Sequence, residues 1–199
     1  MLPNYKAGGN KMMMTNLERT QIQTFKPEIT EEKSLKAAER VGIFKWIISR
    51  GNLNRIKSIE SKMVYYPFWF MKFQVEIFRM LKLPSRDANV LVAVDAIEER
   101  AGLLETKLEM LIRKEVEEKR ILPHVVKERK AREIGEQFTR MYVERKFHPY
   151  KPPIITLQDI GMVYPPFYAV KSFGQENHGS YLVLINAING EVKRKEKIN

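Results

Sequence analysis

The spacing of apolar and polar positions divides the chain into helical and extended stretches. Leu35, Ala38, Val41, Phe44 and Ile48 recur every three or four residues, which predicts a helix from Thr30 to a stop at Gly51. Glu31 and Glu32 fall in its first turn, where the helix dipole favours acids. Ala131, Ile134, Phe138, Met141 and Tyr142 form a second stripe, opened by Pro123 and ended by Pro149, Pro152 and Pro153. Leu104, Leu108, Leu111 and Ile112 predict a third helix over 103–120. Elsewhere the period drops to two. Trp69, Met71, Phe73, Val75 and Ile77 alternate with Phe70, Lys72, Gln74, Glu76 and Phe78, which reads as a half-buried strand. A turn at 84–87 leads to a return strand over 90–96. A second pair is expected over 167–173 and 181–188, and Asn189-Gly190, tolerant of positive φ, turns the chain into a last strand over 191–195.

The two strand pairs share wording. Met63-Val64-Tyr65-Tyr66-Pro67-Phe68-Trp69-Phe70-Met71-Lys72 recurs as Met162-Val163-Tyr164-Pro165-Pro166-Phe167-Tyr168-Ala169-Val170-Lys171, with six of ten positions identical. Val94-Asp95-Ala96-Ile97 matches Ile185-Asn186-Ala187-Ile188, and upstream Ala38–Gly42 aligns with Ala131–Gly135. Three blocks in the same order predict a duplication. The expected class is α+β: tandem helix-plus-antiparallel-sheet (αββ) repeats joined by a linker helix. The divisions are a loosely packed lead-in over 1–27, a first repeat over 28–102, the linker helix over 103–120, and a second repeat over 121–199 with a basic C-terminal tail. Each repeat is too small for a generous core of its own, so the two are expected to pack together. Pro67 and Pro166 lack the amide donor of a ladder position and should mark a kink, bulge or edge.

The opening Ile29-Thr30-Glu31-Glu32, the hairpin, the strand ending Val94-Asp95-Ala96 and the closing Leu184-Ile185-Asn186-Ala187-Ile188-Asn189-Gly190-Glu191-Val192 resemble the PepSY family of small αββ modules. The resemblance implies a cystatin-like sheet curled against a helix. It also implies a non-catalytic role, in proteins often exported or membrane-tethered, restraining peptidases or binding protein partners.

Composition narrows the chemistry. The chain has 199 residues and no cysteine, which removes a disulfide scaffold, a thiolate zinc site and a cysteine nucleophile. No apolar run approaches the roughly 18 residues of a membrane span. The first sixteen residues hold no signal-like apolar stretch, so a cytoplasmic location is expected, or an exported or membrane-associated one if the chain is a trimmed piece. Lys and Arg number 35 against 24 Asp and Glu, a net charge of +11. The basic stretches at 113–119, 127–132 and 140–146 are interleaved with glutamates, as on a solvated helix face. Only Lys193-Arg194-Lys195-Glu196-Lys197 is a concentrated basic block.

No phosphate-cradling glycine loop, HExxH helix or GxSxG elbow occurs. His124, His148 and His178 stand apart. Asp95 and Asn186 end matching strands, where such residues hydrogen-bond the following turn. No catalytic residue, metal or cofactor is expected. The candidate binding residues are the repeated aromatics with their lysines: Tyr65, Trp69, Lys72, Tyr164, Tyr168 and Lys171. These aromatics fit a strand packed beneath a helix or the lining of a groove. The functional expectation is a non-enzymatic binding or regulatory module for a protein or peptide partner, with sheet edges that also suit a homodimer. The alternatives are nucleic-acid binding through basic helices and tail, or a small ligand held between sheet and helix.

Overall fold

The computed structural model describes residues 18–48, 56–80, 83–104, 110–174 and 180–198. Gly8-Gly9, Gly51, His178 and the side chains of Val41, Phe44 and Ile48 lie outside the described residues. The fold is mixed α+β with antiparallel sheets. In chain order the elements are β1 (Arg19–Phe25), α1 (Glu31–Ile48), β2 (Ile56–Tyr65), β3 (Phe68–Ile77), β4 (Arg86–Asp95) and β5 (Ala101–Leu103). Then follow β6 (Leu111–Glu117), α2 (Glu128–Phe147), β7 (Ile154–Val163), β8 (Pro166–Gly174), β9 (Ser180–Asn186) and β10 (Val192–Ile198).

Over Leu111–Glu117 the chain is a strand, followed by a single 3-10 turn at Glu118–Arg120, where a linker helix was expected. The residues Arg19–Phe25, assigned to a loose lead-in, are its partner: β1 and β6 form a ribbon with Ile22, Phe25 and Val116 buried. Local spacing favoured a helix at 111–117, but the ladder to β1 and the burial of Val116 decide otherwise. α2 also begins later than Pro123, because the amides of Val125 and Val126 are both taken by the Ala96 carbonyl (2.8 and 2.9 Å). It ends where expected, with His148 in the left-handed conformation just before Pro149.

Two four-stranded sheets carry the fold, in the orders β10-β9-β8-β2 and β5-β4-β3-β7. Consecutive strands β2 and β3 do not pair with each other; β2 pairs with β8, and β7 pairs with β3. The reason is covalent. A two-residue hairpin of the favoured type needs a positive φ in its loop, and the connectors are Tyr66-Pro67 and Tyr164-Pro165, where proline is held near −65°. The chain therefore passes straight on, and each sheet is completed by a strand from the other half of the sequence.

One helix covers each sheet. Ala38 of α1 packs on Tyr168, Val170, Val183 and Ile185. Under α2 lie Met71, Phe73, Val75, Val92 and Val94, against Ala131 and Val143. Small residues let α2 approach closely: a Cβ at Gly135 would lie 2.7 Å from Met71 Sδ. Nearer the connectors the opposite faces of both sheets are also buried, in clusters built on Phe25, Phe70 and Val163 and on Tyr66, Phe167 and Leu184.

The same bonds recur in both halves. Ala96 N donates to Pro67 O and Ala187 N to Pro166 O. The Ala96 carbonyl accepts from Val125 and Val126, and the Ala187 carbonyl from Glu28 and Ile29. Counted from these anchors, Ser34 and Ala38 take the places of Ala131 and Gly135, one helical turn from the alignment the sequence suggested. The turns after β4 and β9 also correspond: Asp95 N donates to Arg100 O, and Asn186 N to Glu191 O. Gly190 takes a φ of 78° there, and Glu99 makes the same turn at a φ of 57°. A side chain in that conformation costs about 1–2 kcal/mol. Glu99→Gly is therefore expected to raise stability by about 0.5–1 kcal/mol, after the entropy glycine adds to the unfolded chain, measured by urea unfolding.

Candidate functional site

The six residues expected to form a binding surface are not brought together. Trp69 lies among the side chains beneath α2, and its Nε1 donates to Val126 O (2.8 Å). Tyr168 lies beneath α1 and donates from its hydroxyl to Ile29 O (3.0 Å). Each aromatic thus clamps the segment two residues ahead of a helix. Lys72 and Lys171 stand three positions further along β3 and β8, so they face the other side of their sheets and are exposed. The Lys171 ammonium sits over Phe173 at 5.7 Å. That odd spacing was the sequence signal that aromatic and lysine cannot share one groove. Tyr65 is buried with Ile22 and Val116, and Tyr164 is half-buried beside them.

Burial pushes the phenol of Tyr168 above its usual value near 10, helped by the charge of Glu31, and burial does the same for Tyr164. The neutral phenol is thus favoured in the fold. Its contribution is complete below pH 10 and is lost as pH rises through the elevated value. Tyr168→Phe is expected to cost about 1 kcal/mol at neutral pH, for the lost bond to Ile29, and to flatten the fall in stability above pH 10, as read by unfolding at a series of alkaline pH values.

Sequence reasoning treated Asp95 as a turn former, and it is one: its Oδ1 accepts from the amides of Ile97 and Glu98, both at 2.8 Å. It is also the centre of a buried charge cluster. The Tyr66 hydroxyl donates to its carboxylate at 3.0 Å, and the Lys193 ammonium reaches it at 2.5 Å. Lys193 rests over the rings of Tyr66 and Phe68, each at 4.7 Å. Lys193 lies in the last strand, β10, as the turn at Asn189-Gly190 predicts, and it joins one sheet to the end of the other. In the matching place the Asn186 side chain keeps the turn bond, accepting from Ile188 N at 2.9 Å. Asp95→Ala leaves a largely buried ammonium without its counter-charge and is expected to cost about 3 kcal/mol or more. Asp95→Asn, which retains the turn, should cost less; the two are compared by denaturant unfolding.

The charge along α2 is mostly neutralised locally. Arg132 pairs with Glu128, Arg140 with Glu136, and Arg129 and Lys130 with Glu133. His124 and His148 flank a helix of 20 residues, about 30 Å long, and so cannot share a ligand.

The outer edges of both sheets are a different matter. β2 and β7, ten residues each, are the terminal strands of their sheets. Their outer sides are engaged at the C-terminal ends, and in β2 also at Ser58, whose amide donates to Glu39 Oε1 (3.4 Å). Leu122 N donates to Tyr65 O (2.9 Å) beside a parallel bridge between Tyr65 and Ile121. Tyr164 N donates to Gln23 O (2.8 Å), and the Thr24 hydroxyl to Tyr164 O (2.7 Å). Below these points no strand among the described residues pairs with either edge. By the alternation of a β ladder, Met63 and Ser61 share the outward phase of Tyr65, and Met162 and Ile160 that of Tyr164. A bulge interrupts each ladder, between Ser58 and Glu60 in β2 and opposite Lys72–Phe73 in β7. Ile59, in the first, is 62% exposed. The sequence reading missed β2 and β7 as strands. The β-branched run Ile154, Ile155, Thr156 with Ile160 and Val163 was the available signal.

Where the β2 edge closes there is a concavity of about 230 Å³ lined by Arg19, Tyr65, Lys114, Glu115, Glu117 and Arg120. Lys114 lies 5.7 Å over the Tyr65 ring. Glu117 is bound by Lys119 at 3.0 Å and Arg120 at 3.3 Å, and the Lys119 bond holds its carboxyl below the usual range. Among the described residues, no helix is long and apolar enough to cross a membrane. Compared with known proteins, the chain matches no family model, no curated protein and no solved structure.

Proposed function

We propose that the protein is a non-catalytic binding module that takes an extended segment of a protein or peptide partner along the outer edge of β2 or β7. The observation that carries this reading is the pair of ten-residue terminal strands whose outer sides, short of Tyr65 and Tyr164, no strand among the described residues pairs. Such an edge presents a row of free amides and carbonyls, and proteins that gain nothing from one usually cover it or keep it short. Adding a strand to it supplies main-chain hydrogen bonds, with side-chain pockets providing selectivity.

The architecture behind those edges we read as a tandem duplication of a PepSY-like, cystatin-like unit. Each copy lends its helix and following strand to the sheet of the other. Two features support this: the matched strand orders, with β2, β3, β4 and β5 against β7, β8, β9 and β10, and the recurrence of the Ala96 and Ala187 bonds. Lending a strand across the molecule brings that strand to the end of the recipient sheet, which is how both edges come to be open.

The test is a display library of random peptides about as long as the edge. Binders are expected, and they should slow amide exchange at Ser61 and Met63 or at Ile160 and Met162. A library without binders, or binders that protect only residues of α1 and α2, overturns the reading.

A further inference from the structure

Resting on the edge-binding reading, we infer that the strand received by β2 is the C-terminal end of its partner, bound parallel to β2 with its terminal carboxylate in the concavity of Arg19, Lys114 and Arg120. Three observations converge on this. The first is where the row ends. β2 runs towards Tyr65, and there Ile121 already occupies the outer side in a parallel bridge. A strand docked beside 56–63 therefore meets Ile121 end-on and must stop. A chain that terminates at this point loses nothing, whereas one that continues must turn away.

The second observation is the charge at the stop. Arg120 directly precedes Ile121, and Arg19 and Lys114 reach the same concavity from the β1–β6 ribbon. Of the two carboxylates in the lining, Glu117 is committed to Lys119 and Arg120. Glu115 is exposed, and with Arg120 shared with Glu117 the remaining lining charges are Arg19 and Lys114 against Glu115. Arg19 and Lys114 make no ion pair among the described residues; Lys114 is held only over the Tyr65 ring, at 5.7 Å. Lysine and arginine are the natural donors to a carboxylate, and charge-assisted bonds of this kind are the stronger ones.

The third observation is direction. A strand parallel to β2 brings its C-terminus to Tyr65, and an antiparallel one brings its N-terminus. The cations favour the carboxylate over the ammonium, so charge selects the parallel arrangement. The volume, about 230 Å³, admits the terminal group and part of the last side chain. The matching end of β7 is closed instead by Gln23 and Thr24 of β1, which are uncharged, so the inference concerns β2 alone.

The experiment uses the full chain and peptides selected from an array of random sequences with free C-termini, each then remade as its C-terminal amide. Affinity is read by fluorescence anisotropy. Amidation is expected to weaken binding about tenfold, the worth of one charge-assisted bond. Lys114→Ala and Arg19→Ala, both at exposed positions, should weaken the free acid several-fold and leave the amide unchanged. A nitroxide on the peptide N-terminus should broaden NMR signals near Ile56 and spare those near Tyr65. If acid and amide bind equally, while methylating alternate peptide amides abolishes both, edge pairing stands and carboxylate capture fails. If no peptide binds, or backbone methylation is without effect at every position, both readings fail. Methylation acts on the peptide, so this control does not depend on a protein variant that folds.

Discussion

Proline in the two connectors constrains everything downstream of it. With φ held near −65° at Pro67 and Pro165, the polypeptide cannot reverse after β2 or after β7 by the tight hairpins that join most neighbouring antiparallel strands. Both strands are forced onward, and each finds its ladder in the opposite half of the chain, β2 on β8 and β7 on β3. The helices follow, because α1 must stay near β2 and α2 near β7. Neither sheet can then form without both halves of the sequence. The arrangement couples residues about a hundred positions apart, so folding depends on contacts of high sequence separation.

The charge cluster at Asp95 acts on this frame in a single place. A carboxylate, a phenol and an ammonium meet where the ends of β4 and β10 approach, with the rings of Tyr66 and Phe68 over the cation. Buried ion pairs contribute little net stability, since desolvation offsets the attraction, but leaving one partner alone is costly. Lys193 reaches Asp95 from the irregularity in β10, where the register to β9 shifts between Val192 and Arg194. Asn186, at the matching position, is neutral and holds its turn by accepting from Ile188 N. The two halves are alike in backbone and unlike in charge.

The open edges are the geometrical consequence of strand lending. In each sheet the borrowed strand is terminal, so its outer side faces away from the other strands. The bulges in both strands and the salt bridge between Glu60 and Lys62 limit indiscriminate pairing without closing the edge. An edge that is long but interrupted suits a selective partner more than unlimited association.

Much of this was legible in the residues. The period-two runs gave β3, β4, β8 and β9, the stripe at 131–142 gave most of α2, and Asn189-Gly190 gave the last turn, because these signals are local and act within a few residues. The recurrence of Met-Val-Tyr around a proline was visible too, together with the expectation that the proline would interrupt a ladder. What the sequence could not supply was partnership. Nothing local separates a strand at 111–117 from a helix, since its ladder to Arg19–Phe25 lies some ninety residues away. Nor does any local pattern assign Lys193 to Asp95 in place of solvent. The repeated aromatics fitted a core or a groove equally by pattern, and Trp69 and Tyr168 proved to be clamps beneath helices, because burial depends on which helix lies above a strand. Chain chemistry determined where the backbone could not turn, and the tertiary structure decided what it met instead, since pairing and burial are properties of two segments at once.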